Sequence, residues 1–83
     1  MPTILPDFSE SSMKTVLIYT DYITLGQFLK YIKEIGSGAE AKGFLSEIHV
    51  EVNGERETRR GRKLYPGDTI SFSGREYRIG KEA

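Results

Sequence analysis

Arg59, Arg60, Arg62 and Lys63 crowd around Gly61 in the run TRRGRKL. Four of the twelve basic residues fall within those five positions, yet the 83-residue chain has a formal net charge of +0. Guanidinium groups donate hydrogen bonds in pairs to phosphate oxygens. A glycine among them lacks a Cβ and lets a phosphate approach the backbone. Lys and Arg beside phosphates also release condensed counterions, so the cluster points to a polyanion partner. The plain alternative is a solvated loop balanced by Glu55 and Glu57.

Other chemistry finds little support. There is no cysteine, and the single histidine, His49, alternates with Val50 and Val52 in a strand-like stretch. A serine nucleophile needs a histidine base oriented by a third group, so His49 reads as a structural or surface residue. The acidic residues are scattered, and no metal site is expected. No Gly-rich loop with a Walker lysine opens a helix, which argues against nucleotide hydrolysis. The expectation is a non-enzyme with no catalytic residues and no cofactor.

Further cations stand near the cluster in the reading of the elements. Ser37 and Glu40 have the spacing of a capping box, with Lys42 in the first turns of the helix they start. A helix N-terminus attracts phosphates through its free N–H groups and its dipole. On the preceding helix, Gly26, Lys30 and Lys33 share a stripe at i, i+4 and i+7. Ordinary helix solubility is the competing account of Lys30 and Lys33. Tyr31 and Tyr65 have rings suited to stacking on an exposed base, or to partial burial at the rim of the core.

The elements that must hold these residues follow from pattern. Lys14 to Thr20 is rich in β-branched and aromatic residues and reads as a strand. Thr24 and Gln27 make a capping box, and Leu25, Phe28, Leu29 and Ile32 recur at helical spacing. Gly36 is placed to end that helix in a left-handed conformation. Ala41, Phe44, Leu45 and Ile48 form the apolar face of a second helix. The short connection predicts a helix hairpin. Val50 and Val52 then alternate, and Asn53-Gly54 signals a hairpin turn. Pro66-Gly67 suits a type II turn. Ile70 and Phe72 face one way, and Ser73-Gly74 leads to a last strand with Tyr77 and Ile79. The fold class is α+β: a two-helix hairpin packed on a small, mostly antiparallel sheet.

Length and composition bound the rest. Eighty-three residues make one domain with a thin core. Residues 1–12 carry two prolines, three serines and no period, and read as a flexible N-terminal leader before a single domain over 13–83. The longest apolar run, Val16 to Tyr19, is strand-sized, far below the roughly 20 residues of a membrane span. The N-terminus has no basic start followed by an apolar stretch. The expectation is a cytoplasmic monomer without a membrane partner.

The stretch SGAEAKGFLSEIHVEVNG resembles the signature of the S-four RNA-binding domain family, named for the fourth protein of the small ribosomal subunit. Ser37, Ala41, Lys42, Phe44, Leu45, Val50, Val52, Asn53, Gly54, Gly67 and Asp68 fit the pattern. With ITLGQFLK at Ile23 to Lys30 and RRGRKLYPGD at Arg59 to Asp68, the chain is similar to the stand-alone YaaA-type subgroup of bacteria. The resemblance covers roughly Lys14 to Ile79. It implies binding of structured RNA, ribosomal RNA or a ribosomal particle, through the two helices and the adjoining loop. Carried onto this chain, it points to Lys42 and to the loop Arg59 to Lys63. Two positions depart from the family pattern. Gly38 stands where the family often has an arginine, and Ile48 where it has a glycine.

The candidate RNA-binding residues are therefore Lys30, Lys33, Ser37, Lys42, Arg59, Arg60, Arg62 and Lys63. Two other classes compete. One is a protein–protein adapter that does not touch nucleic acid. The other is a sulfur-carrier-like β-grasp protein, faintly suggested by Val52-Asn53-Gly54 and Gly67-Asp68. Such a carrier needs a C-terminal Gly-Gly, and Gly80-Lys81-Glu82-Ala83 stands here instead.

Overall fold

The computed structural model describes residues 13–82; the flexible leader expected over residues 1–12 lies outside the described residues. The element order is β1 (Met13–Ile18), β2 (Ile23–Thr24), α1 (Leu25–Tyr31), a 3₁₀ turn (Gly38–Glu40), α2 (Ala41–Glu47), β3 (Glu51–Val52), β4 (Glu55–Arg56), β5 (Lys63–Leu64), β6 (Thr69–Phe72) and β7 (Arg75–Lys81). Two helices thus pack on a five-stranded sheet of order β1-β7-β6-β3-β4, and β2 pairs separately with β5. Among the described strand pairs only β1 and β7 run parallel, from Met13↔Glu76 to Ile18↔Lys81. The fold is α+β, as the pattern predicts.

Local chemistry explains the turns. Asn53 and Gly54 both adopt positive φ, 54° and 88°, and close the β3–β4 hairpin at Val52↔Glu55. Ser73 and Gly74, at 52° and 78°, do the same for β6 and β7. Gly67 takes φ 100° after Pro66, and the Asp68 N–H donates to the Tyr65 carbonyl at 2.9 Å. That is the type II turn that Pro-Gly encodes.

The apolar face of α1 is fully covered: Leu25, Phe28 and Leu29 are 0% exposed, and Ile32 packs at the edge. Ala41 and Leu45 of α2 are buried beside them, with Phe44 and Ile48 partly so. A run of rings ties both helices to the sheet. Phe28 meets Tyr77 edge-on at 5.3 Å, Tyr77 stacks on Phe72 at 5.8 Å, and Phe72 meets Phe44 edge-on at 5.6 Å. Each such pair adds about 0.5–1.5 kcal/mol beyond area burial.

Three local details differ from the sequence expectation. Gly36 does not end the first helix. Lys33 does, at φ 67°, with the Glu34 N–H donating to the Leu29 carbonyl and the Lys33 N–H to the Lys30 carbonyl. This is a Schellman closure, and it needs its left-handed residue directly after Ile32, three positions before the glycine. Because the helix stops at Tyr31, the stripe of Gly26 and Lys30 does not extend to Lys33. The Ser37–Glu40 capping box does not form either. The chain enters through a 3₁₀ turn, so the Glu40 N–H is already satisfied by the Ser37 carbonyl at 3.1 Å. The Glu40 carboxylate instead accepts the Gly36 N–H at 3.0 Å. The Thr24–Gln27 box, by contrast, is complete in both directions.

A lysine in the left-handed region costs roughly 1–2 kcal/mol. Lys33→Gly is therefore expected to stabilise the protein by about 1 kcal/mol, raising the thermal midpoint by roughly 4–8 °C. Thermal denaturation followed by circular dichroism checks this; an unchanged or lower midpoint would show that the lysine is not strained.

Candidate nucleic-acid interface

The basic loop is built around one carboxylate. Glu57 is only 6% exposed, although its sequence neighbourhood is wholly polar. Its Oε2 accepts from the Arg59 Nε at 3.0 Å and from the backbone N–H groups of Thr58 and Arg59. Its Oε1 accepts from Arg62 Nη1 at 2.9 Å and from Arg59 Nη2 at 3.2 Å. The Arg59 hydrogen bond is the main reason the carboxyl pKa falls from 4.5 to about 2. Burial pushes the other way but is smaller than that hydrogen bond, and the Arg59 backbone N–H and Arg62 lower the value further. The same contact holds the Arg59 guanidinium above its ordinary value.

The backbone of the loop is pinned as firmly. The Arg62 N–H donates to the Arg59 carbonyl at 3.2 Å, which places Arg60 and Gly61 at the tip of a tight turn. The carbonyls of Arg60 and Arg62 accept the Gly26 and Leu25 N–H groups at 2.9 and 2.8 Å. With the Gln27 N–H on Thr24, the free N–H groups that open α1 are taken by the protein itself. Gly26 lies close under the loop: a Cβ there would sit in ordinary contact with the Arg60 carbonyl at 3.4 Å and Ala41 at 3.5 Å. At Gly61 nothing stands within 4 Å of an added Cβ, so the fold does not require that glycine.

The sequence-derived residues therefore divide. Arg59 and Arg62 are bound to Glu57, though the Arg59 side chain remains 76% exposed and Arg62 32%. Arg60 turns across to the 3₁₀ turn before α2, its Nη1 3.5 Å from the Gly38 carbonyl. Lys63 projects over the Tyr22 ring, 5.0 Å from its centroid. Among the described residues, Arg60, Lys63, Lys42, Lys30 and Lys33 form no ion pair, and all five are exposed. Ser37 is exposed with its hydroxyl uncommitted to the cap. Glu55, expected to balance the loop, is exposed on β4 without an ion pair among the described residues.

Two open clefts flank Gly61. One, of about 400 Å³, is lined by Arg59, Gly61, Arg62, Lys63 and Tyr65. The other, of about 270 Å³, is lined by Thr24, Gly26, Gln27, Gly38, Arg60 and Gly61. Both present hydrogen-bond donors and cations at a surface, which suits anionic backbone oxygens. A depression of about 410 Å³ around His49 and Arg75 lies elsewhere. There His49 is closed on Glu51 at 2.8 Å and Arg75 on Glu34 at 3.0 Å. Among the described residues no three His, Asp or Glu side chains converge as a metal site would require. No helix among them is long and apolar enough to cross a membrane.

Sequence reasoning named Glu57, with Glu55, as a counter-charge to the loop, which the Arg59 and Arg62 pairs bear out for Glu57, but it missed that carboxylate's burial and the approach of Tyr22. Nothing in ERETRR marks its second glutamate as buried. Tyr22 comes near because Ile23↔Leu64 and Thr24↔Lys63 pair across some forty positions.

A model of the S4 domain family matches residues 16–80. The chain is 56% identical, over 59 residues, to the Bacillus subtilis (strain 168) protein named "Probable ribosome maturation protein RlbA"; the match spans 71% of this chain and 83% of that one. It is 36% identical over 58 residues, 70% of this chain and 83% of the relative, to "Putative RNA-binding protein YbcJ" of Escherichia coli (strain K12).

Proposed function

Because the chain belongs to the S4 domain family, we propose that it is a non-catalytic RNA-binding module of the cytoplasm. Its target is structured RNA, ribosomal RNA or a ribosomal particle, held mainly by phosphate contacts. The observation that carries this reading is the turn at Arg60-Gly61. Its backbone is locked onto α1 and its base onto buried Glu57, while Arg60 and Lys63 stay free of intramolecular carboxylates among the described residues. A backbone fixed in advance spares the loop the cost of ordering its chain on binding.

Lys42 on α2 extends the surface, and Lys30, Lys33 and Ser37 add donors around it. Arg59 and Arg62 spend part of their charge on Glu57 and keep their outer edges for phosphate. Arg60 reaches Gly38, the position where the family resemblance implies an arginine, and supplies the cation that Gly38 lacks. The names of the relatives, which speak of ribosome maturation and RNA binding, support the same reading.

About four phosphate contacts give a log–log slope of binding against salt of roughly −3 to −4. Titration of the protein into ribosomal RNA fragments across a range of salt concentrations measures it. A flat titration would overturn the phosphate reading. Cellular association that survives nuclease and high salt would assign the surface to a protein partner instead.

A further inference from the structure

We propose that Tyr65 is a stacking platform for a single unpaired base, so that the preferred RNA is a helix interrupted by a bulge or loop. The inference rests on the RNA reading above and names the feature of the RNA that the loop recognises. In this thin core the rings of Phe28, Phe72 and Tyr77 are buried, while Tyr65 is 47% exposed. It is exposed, and its backbone is pinned at both ends of the residue. Its N–H donates to Asp68 Oδ2 at 2.8 Å and its carbonyl accepts the Asp68 N–H at 2.9 Å. Tyr22 and Tyr65 occupy the next positions in the register of β2 and β5, with ring centroids 5.6 Å apart and planes tilted by 47°. Lys63 sits over Tyr22, so Tyr22 braces the platform and Tyr65 offers it.

The cleft beside that ring has the dimensions and chemistry of a nucleotide site. It is an open cleft of about 400 Å³, with Arg59, Arg62 and Lys63 as cationic walls and open space where a Gly61 side chain would stand. A nucleotide needs a π-surface for its base and cations for its phosphate, and both stand here within one cleft. A base inside a duplex hides its faces in the stack, so only an extruded one can use the ring. Of the other exposed tyrosines, Tyr22 lies outside this cleft with Lys63 over its ring. Tyr19 and Tyr31 line a groove with Leu17, Ile23 and Gln27 in which no basic residue takes part.

The test uses two RNA hairpins with the same stem, one fully paired and one carrying a single bulged 2-aminopurine. The intact protein is expected to bind the bulged hairpin about ten-fold more tightly, and to quench its fluorescence. Tyr65→Leu removes both the preference and the quenching, and Tyr65→Phe keeps both. Equal affinity for the two hairpins, or a preference that survives Tyr65→Leu, overturns the platform and leaves the RNA reading standing. Binding to neither hairpin overturns both.

Discussion

Exchanging Arg60, Lys63 and Lys42 together for glutamine is expected to lower RNA affinity about a hundred-fold at physiological salt. Each lost phosphate contact is worth about 1 kcal/mol, and three such losses compound to that factor. The salt dependence should shrink at the same time, from a slope of roughly −3 to −4 toward −1, because each removed contact releases about one counterion fewer. The choice of residues matters. None of the three pairs with a carboxylate among the described residues, so the fold keeps its internal ion pairs. Removing Arg59 and Arg62 instead would strip the partners from a buried carboxylate and confuse binding with folding. Filter binding across salt, with thermal denaturation to show that the variant is folded, measures the effect. A variant that keeps its slope would place the phosphates elsewhere on the molecule.

Glu57→Gln is expected to destabilise the protein by about 3 kcal/mol at pH 7. Glu57 is nearly buried and its pKa is lowered from 4.5 to about 2 by Arg59 and Arg62. A carboxyl depressed by that much stabilises the folded state by roughly 3 kcal/mol once it is ionised in both states. The sign follows from the direction of the shift. The contribution is complete above the unfolded value, at about pH 5, and is lost as the pH falls toward about 2. Urea denaturation should therefore show a wild type that weakens over that acid range and a variant that is nearly flat across it. The two curves meet near pH 2. Equal stabilities at pH 7 would mean that the arginines hold the loop without the carboxylate. The variant should also bind RNA less tightly, since the turn bearing Arg60 and Gly61 loses one of its two anchors.

Much of the fold was legible because its signals are local. Asn53-Gly54, Pro66-Gly67 and Ser73-Gly74 each encode a turn by the φ values they tolerate. The Thr24–Gln27 box and the spacing of Leu25, Phe28 and Leu29 mark the first helix for the same reason. Its end was misplaced because a Schellman closure is set by where the packed stripe stops. A lysine tolerates the left-handed conformation when packing demands it, so Gly36 was passed over for Lys33. The second cap failed for a related reason: a 3₁₀ turn satisfies the N–H that Ser37 would have capped.

Residue types within a few positions of one another determined the arginine cluster, the two helices, the turns and the family. Those properties depend on backbone preferences and side-chain spacing along the chain, which the amino-acid order carries directly. Tertiary structure alone decided which cations face solvent. It buried Glu57 beneath the cluster, assigned Arg59 and Arg62 to it, sent Arg60 toward Gly38 and brought Tyr22 to Tyr65. The reach of Arg60 and the meeting of Tyr22 with Tyr65 arise from contacts between distant segments, chiefly the docking of the loop carbonyls on α1 and the pairing of β2 with β5, whereas Glu57 meets Arg59 and Arg62 across only two and five positions. Spacing alone brings Glu57 near both arginines, but only the packing that buries its carboxylate decides that it, and not exposed Glu55, holds them.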